Sequence, residues 1–222
     1  MTRRWRAGKQ VLPQKERSRK VSRRFPEDEE KVTWLPGLLD AYVLIDEGVK
    51  KAVSRREKEG GRDLACRRGC DACCRAQKDI PVYPHELTGI YWYCMEKLRQ
   101  PTREVLRQKL LRHQSGGSCP FLMEGVCVVH PVRPTGCRQF NVFGEPCAEG
   151  EDPYHTRRGD VLRPDRGVTR RAFARVLGFY GVDEASAEKK ETVEKIIHTQ
   201  VVNLTECPWS KLAEKMEEVD TL

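Results

Sequence analysis

Apolar residues recur every three or four positions along several stretches of the chain, a spacing that is typical of amphipathic helices. The clearest stretch predicts a helix that begins near Pro36 and ends at the Gly60-Gly61 pair. A second apolar stripe over residues 87–98 predicts another helix, and a third is expected to begin at Pro101. These helices precede a region of different character.

Residues 116–167 are rich in Gly and Pro and show no sustained period, so we expect turns and short strands there. Helical spacing then returns and predicts helices near 169–179, from Asp183 to about residue 204, and from Pro208. The expected fold class is mainly α, with helices around a loop-rich, cysteine-cluster metal-binding core and few short strands.

The loop-rich centre carries most of the cysteines. Nine of the ten lie between Cys66 and Cys147, and eight of them form two groups: Cys66, Cys70, Cys73 and Cys74, then Cys119, Cys127, Cys137 and Cys147. So many thiols serve disulfides, zinc or an iron–sulfur cluster. Groups of four match the four thiolates of a zinc site or an iron–sulfur cluster. Metal binding would also stabilise a segment that has few apolar residues.

The expected compartment favours metal over disulfides. Residues 1–25 contain no apolar segment of a secretory signal. No apolar run approaches the roughly 18 residues of a membrane span. We therefore expect a cytoplasmic protein without membrane contact, although organelle targeting by residues 1–25 stays open. Thiols remain reduced in the cytoplasm, and the adjacent Cys73 and Cys74 also argue against a disulfide framework.

Charge is concentrated at the N-terminus. Residues 1–25 hold ten Lys or Arg and one acid, whereas the whole chain carries +8, so the remainder is close to neutral. Such a tail is expected to be disordered, and contact with a polyanion (RNA or ribosome) or a protein partner is one possible role for it. A plain solubilising extension and a transit segment are the alternatives. We divide the chain into a basic tail (1–30), an N-terminal helix (31–62), a metal-binding core with an inserted helical pair (63–150) and a C-terminal helical extension (151–222).

Several other residues are candidates for chemistry. Guanidinium groups beside thiolates offset their negative charge, and we expect this role for Arg133 and Arg138, which lie in the apolar segment around one cysteine. Cys94 lies on the apolar stripe of a predicted helix and is expected to be a buried structural thiol. His85 and Glu86 are expected to begin a helix, with an acid–base pair near the metal as the alternative. The chain contains no Walker A, GxGxxG or HExxH sequence, which argues against a nucleotide cofactor.

The cysteine motifs also carry a family resemblance. The ordered motifs are Cys66-x3-Cys70-x2-Cys73-Cys74, then Cys119-Pro120-Phe121-Leu122, then Cys127-Val128-Val129-His130-x2-Arg133-Pro134-x2-Cys137-Arg138-x-Phe140. Over about residues 64–150 this pattern resembles the YkgJ family, the CxxCxxCC zinc- or iron-chelating domain. It is also similar to the cysteine pattern of flagellin lysine methylases, which rely on an iron–sulfur centre. The resemblance implies a metal-chelating module with ligation by Cys66, Cys70, Cys73, Cys74, Cys119, Cys127, Cys137 and Cys147.

These observations predict a metal-binding protein with an iron–sulfur cluster in a structural or electron-transfer role. Thiolate suits both iron and zinc, but the many cysteines and the absence of His within the ligand runs favour the cluster. One alternative is a metal-dependent enzyme, an oxidoreductase or a protein-modifying enzyme, with an open coordination position. The other is a purely structural zinc protein. A centre with four protein ligands is closed, which argues against the enzyme.

Overall fold

The computed structural model describes residues 24–60, 62–183 and 189–221, apart from the side chains of residues 190 and 198. Residues 1–23 of the predicted basic tail lie outside this part. The described residues form ten α-helices: α1 (Pro26–Glu29), α2 (Leu35–Gly60), α3 (Ala72–Ala76), α4 (Pro84–Glu96), α5 (Thr102–Leu111), α6 (Thr135–Gln139), α7 (Pro153–Thr156), α8 (Arg166–Ala174), α9 (Lys190–Thr199) and α10 (Ser210–Asp220). The mainly α class is confirmed.

Two short antiparallel strand pairs accompany the helices. Strand β1 (Pro81–Val82) pairs with β4 (Val202–Asn203), and β2 (Leu122–Met123) pairs with β3 (Val126–Cys127). The second pair is a local hairpin, whereas the first joins segments far apart in the sequence. Both confirm the expectation of few short strands.

Helix α2 is the central element of the core. Its apolar face is fully buried through residues that repeat at helical spacing: Leu35, Leu38, Leu39, Tyr42 and Ile45. Helix α8 packs against α2 so closely that a Cβ on Gly48 would lie 2.6 Å from a Val168 methyl group. The predicted helices at α2, α4 and α5 are therefore confirmed, with α2 and α4 in the core and α5 packed against α10.

The helix predicted from Asp183 to about residue 204 is shorter than expected. Helix α9 ends at Thr199, and the chain then extends to form β4. The Asn203 side chain explains the change, because its Oδ1 accepts hydrogen bonds from the amides of Ile80 and Thr205 at 3.3 and 3.1 Å. These bonds and the pairing with β1 satisfy backbone groups that a longer helix would have satisfied internally. Residues 184–188 lie outside the described part.

The folded body begins within the segment assigned to the tail. The Phe25 ring packs edge-on to Trp92 with centroids 5.0 Å apart, and α1 follows it. The segments of the chain around the cysteines are also held by backbone pairing. Residues 141–144 lie between residues 63–65 on one side and 160–162 on the other, through bridges of Leu64 with Phe143 and of Val142 with Val161. This arrangement brings the ends of the predicted metal-binding core together.

Candidate metal centre

The first cysteine group meets the second at two junctions. At one, the Ala65 amide donates to the Val142 carbonyl at 2.8 Å, and the Gly144 amide donates to the Asp63 carbonyl at 2.9 Å. The Val142 amide in turn donates to the Cys66 sulfur at 3.3 Å. Cys66 therefore lies beside the segment that leads to Cys147.

At the other junction, the Cys119 amide donates to the Cys74 carbonyl at 2.8 Å. The Cys74 side chain also interacts electrostatically with the Cys73 and Cys119 side chains. Cys73 and Cys74 are adjacent on α3. These contacts join the end of the first group to the start of the second.

The hairpin and α6 place the remaining two cysteines. The turn between β2 and β3 has positive φ at Glu124 and Gly125 (47° and 76°), which returns the chain so that Cys127 pairs with Leu122. Cys137 lies on α6, which rests on β1. A Cβ on Gly136 would lie 2.9 Å from the Pro81 Cγ atom, so only glycine allows this close approach.

Electrostatic interactions divide the eight candidate ligands into two neighbourhoods. Cys66 interacts with Cys70 and Cys73, and Cys147 interacts with Cys66 and Cys70. We call these the outer set: Cys66, Cys70, Cys73 and Cys147. Its member Cys70 is exposed. Interactions of Cys74 with Cys119 and Cys127, and of Cys137 with Cys127 and Cys74, define an inner set. The inner set consists of Cys74, Cys119, Cys127 and Cys137. Cys73 lies between the two sets, because it interacts with Cys66 and also with Cys74, Cys127 and Cys137.

Burial makes most of these thiols hard to ionise. The pKa of Cys74 is raised to about 12, chiefly by its interaction with the Cys119 thiol. Burial raises the pKa of Cys127 to about 11. Burial, and then the neighbouring sulfurs, raise the pKa of Cys137 far above its ordinary value. Because a bound metal ion stabilises thiolates, it would reverse these shifts.

Arg133 provides a positive charge among the sulfurs. Its Nε atom is buried and has no hydrogen-bond partner in the described part of the chain. The Arg133 charge lowers the pKa of several cysteines of both sets: Cys66, Cys73, Cys127 and Cys137. A buried donor without a partner is costly, so an anionic acceptor at this point would remove a penalty.

Arg138 has a different environment. Its guanidinium donates to Asp46 at 2.7 Å and to the carbonyls of Pro131 and Arg133 at 2.7 and 2.9 Å. It also lies 3.9 Å above the centre of the Tyr42 ring. Arg138 thus joins the segment before Cys137 to α2. Its positive charge also lowers the pKa of Cys127, as a smaller effect.

The residue types are suited to binding metal, but the described side chains are not arranged as a metal site. All ten cysteines lie in the described part of the chain, and all are free thiols. Among the described residues, no three His, Cys, Asp or Glu side chains are arranged so that they could hold a metal ion as they stand. The fit therefore rests on donor chemistry, the clustering of thiols from distant segments and the unpartnered Arg133 Nε atom, with rotation of cysteine side chains still needed.

A buried carboxyl group lies against the start of α6, and the sequence pointed to it only as part of an alternative acid–base pair. Glu86 accepts hydrogen bonds from the amides of Thr135 at 2.6 Å and Tyr83 at 3.2 Å, which joins the start of α4 to the start of α6. Burial raises the Glu86 pKa to about 7. As predicted, His85 and Glu86 lie in the first turn of α4, and His85 Nδ1 lies 2.6 Å from the Tyr180 hydroxyl. The signal available in the sequence was an acid two residues after Pro84.

Two cysteines lie apart from the two sets. Cys94 is fully buried on α4, as predicted, and burial raises its pKa far above the ordinary value. The Cys207 thiol donates to the Asn203 carbonyl at 3.3 Å.

Comparison with known proteins supports metal chelation. Residues 65–158, about two fifths of the chain, match the family model described as "CxxCxxCC: Putative zinc- or iron-chelating domain". No curated protein matches the chain, and no solved structure matches it either. None of the helices in the described part combines the length and apolar composition that a membrane crossing requires.

Proposed function

We propose that this domain holds metal through the outer and inner cysteine sets, as iron–sulfur centres in a structural or electron-transfer role. The family match supports metal binding in general and is compatible with iron or zinc. The observation that carries the proposal is the meeting of two distant cysteine groups, through the Cys74–Cys119 and Cys66–Val142 contacts, around the unpartnered Arg133 Nε atom.

The proposed ligand sets do not follow the two groups in the sequence. Each set takes three cysteines from one group and one from the other, since Cys147 joins the first group and Cys74 joins the second. This exchange accounts for the adjacent cysteines on α3, because neighbouring side chains on a helix point in different directions. Cys73 and Cys74 would then serve different centres.

Iron–sulfur is favoured over zinc because both sets consist of thiols alone, and because the Arg133 Nε–H group could donate to a sulfur of an anionic cluster. A structural zinc protein is the alternative with the same ligands. The exposure of Cys70 favours a second alternative, a metal-dependent enzyme in which the outer centre exchanges a ligand with substrate.

Paired substitutions test the ligand sets. Cys70→Ser and Cys147→Ser should each remove the outer centre, and the double variant should lose no more metal than either single variant. Cys137→Ser should remove the inner centre only, so that the metal losses of Cys70→Ser and Cys137→Ser add. Metal and sulfide content after anaerobic purification provides the measurement, and Cys94→Ala serves as the control with unchanged metal. Full metal retention in Cys70→Ser and Cys137→Ser would refute the ligand assignment.

A further inference from the structure

Positive charge is also concentrated on the folded body, at two stretches that are distant in the sequence. Residues 50–58 contain five Lys or Arg and one acid, and residues 163–175 contain five Arg and one acid. Residues 26–222 as a whole are close to neutral. The charge of the folded body is therefore unevenly distributed, independently of the basic tail.

The packing of α8 on α2 brings the two stretches together. Gly48 contacts Val168, and a Cβ on Gly37 would lie 2.4 Å from the Arg175 carbonyl oxygen, so the helices run antiparallel. Asp165 precedes α8, and the charges of Arg171 and Arg55 both help to lower its pKa after the hydrogen bond from the Val168 amide. The side chains of Arg55 and Arg171 thus lie near one another.

We call this surface the basic face. It is defined by seven exposed residues: Lys50, Lys51, Arg55, Lys58, Arg163, Arg166 and Arg171. On α2 it forms a shallow groove, with Glu47 and Glu59 towards its two ends. Within the described part of the chain, the ion pairs involve other cations, and none of these seven has an acid within 4.0 Å. Asp165 lies near Arg55 and Arg171 without forming an ion pair to either, so the cations remain available to a partner.

We infer that the basic face binds the phosphodiester backbone of a nucleic acid. Four of the seven cations lie on neighbouring turns of α2, where each residue rises about 1.5 Å. Lys51 and Arg55 are therefore about 6 Å apart along the axis, and Arg55 and Lys58 about 4.5 Å apart. This spacing is close to that of successive phosphates along a strand. Arg is suited to phosphate because it offers two parallel donors.

The same surface argues against sequence-specific recognition. None of the residues that line the groove on α2 is aromatic, so stacking on bases is not expected to contribute. Charge contacts to phosphate act independently of sequence and weaken steeply with salt. The alternative partner is an acidic protein, whose negative charges are not spaced as regularly as the phosphates of a nucleic acid.

The test uses the full chain, because the basic tail also attracts polyanions. The basic-face variant is Lys50→Gln/Lys51→Gln/Arg55→Gln/Arg171→Gln. The matched control neutralises four exposed cations elsewhere: Lys78, Arg99, Arg112 and Lys211, each to Gln. Fluorescence anisotropy with a labelled RNA duplex, and with a DNA duplex of the same sequence, gives the dissociation constant over a range of salt concentrations. Circular dichroism and metal content confirm that each variant retains its fold.

The expected result is a smaller salt dependence in the basic-face variant only. Each phosphate contact adds about 0.9 to the slope of log K against log salt, so four lost contacts should reduce it by about three units or more. A smaller slope with both duplexes supports recognition of the phosphate backbone. A smaller slope with only one duplex identifies whether RNA or DNA is bound. Equal slopes for wild type and basic-face variant would overturn the proposal, as would equally tight binding of polyglutamate. A second variant, Lys58→Gln/Arg163→Gln/Arg166→Gln, provides the same test should the first fail to fold.

Discussion

Replacement of Arg138 should destabilise the protein strongly. The guanidinium is buried, and it bonds to Asp46 and to the carbonyls of Pro131 and Arg133 at 2.7 to 2.9 Å. Arg138→Gln would remove the charged donor that these three acceptors share. Breaking a buried ion pair typically costs about 3–5 kcal/mol. The lower end of this range is expected for Arg138→Gln, because the Asp46 side chain is 34% exposed and water can partly replace the guanidinium.

Urea unfolding of the anaerobically purified protein would measure this loss. Arg138→Lys should lie between wild type and Arg138→Gln, because one ammonium group cannot reach all three acceptors. Arg99→Gln is the matched control, since that side chain is exposed, and it should change stability by less than about 0.5 kcal/mol. An Arg138→Gln variant within about 1 kcal/mol of wild type would refute the claim that this residue fastens the ligand segment to α2.

Three further predictions concern the centre and its supports. Cys137→Ser should lose metal while Cys94→Ala keeps it, and metal analysis showing equal retention would contradict the ligand assignment. Because the Glu86 pKa is raised from 4.5 to about 7, its stabilising contribution is present below about pH 4.5 and lost as pH rises through 7. The stability of wild type relative to Glu86→Gln should therefore fall by up to about 3 kcal/mol between pH 4.5 and 8 in urea titrations, whereas a constant difference would exclude a raised pKa. Gly136→Ala should cost about 1–3 kcal/mol in thermal or urea unfolding, since its Cβ would lie 2.9 Å from Pro81, and unchanged stability would show that this contact is not restrictive.

The helices were predictable because their apolar faces repeat at helical spacing. The stripe from Leu35 to Ile45 is buried against the rest of the core, so its period reflected a real face of α2. Strand β4 was not predictable in the same way. It has two residues and pairs with Pro81–Val82 across more than a hundred positions, so no local pattern distinguishes it from the end of a helix.

The cysteines were identified from their number and spacing, but spacing cannot show which sulfurs lie together. The contact between Cys74 and Cys119 depends on how the chain returns after α5, which is a property of the tertiary fold. The two arginines illustrate the same limit. Their positions near Cys137 suggested similar roles, yet each guanidinium nitrogen of Arg138 donates a hydrogen bond whereas Arg133 has a buried Nε–H group without a partner.

Quantification of iron, zinc, acid-labile sulfide and alkylatable thiols in one anaerobic preparation tests the central claim most directly. We expect iron with sulfide, and protection of the eight cysteines of the outer and inner sets from alkylation until the metal is removed. Zinc with the same protection would support the ligand sets but correct the metal. A metal-free protein in which these cysteines react freely, or form disulfides with each other, would contradict the account.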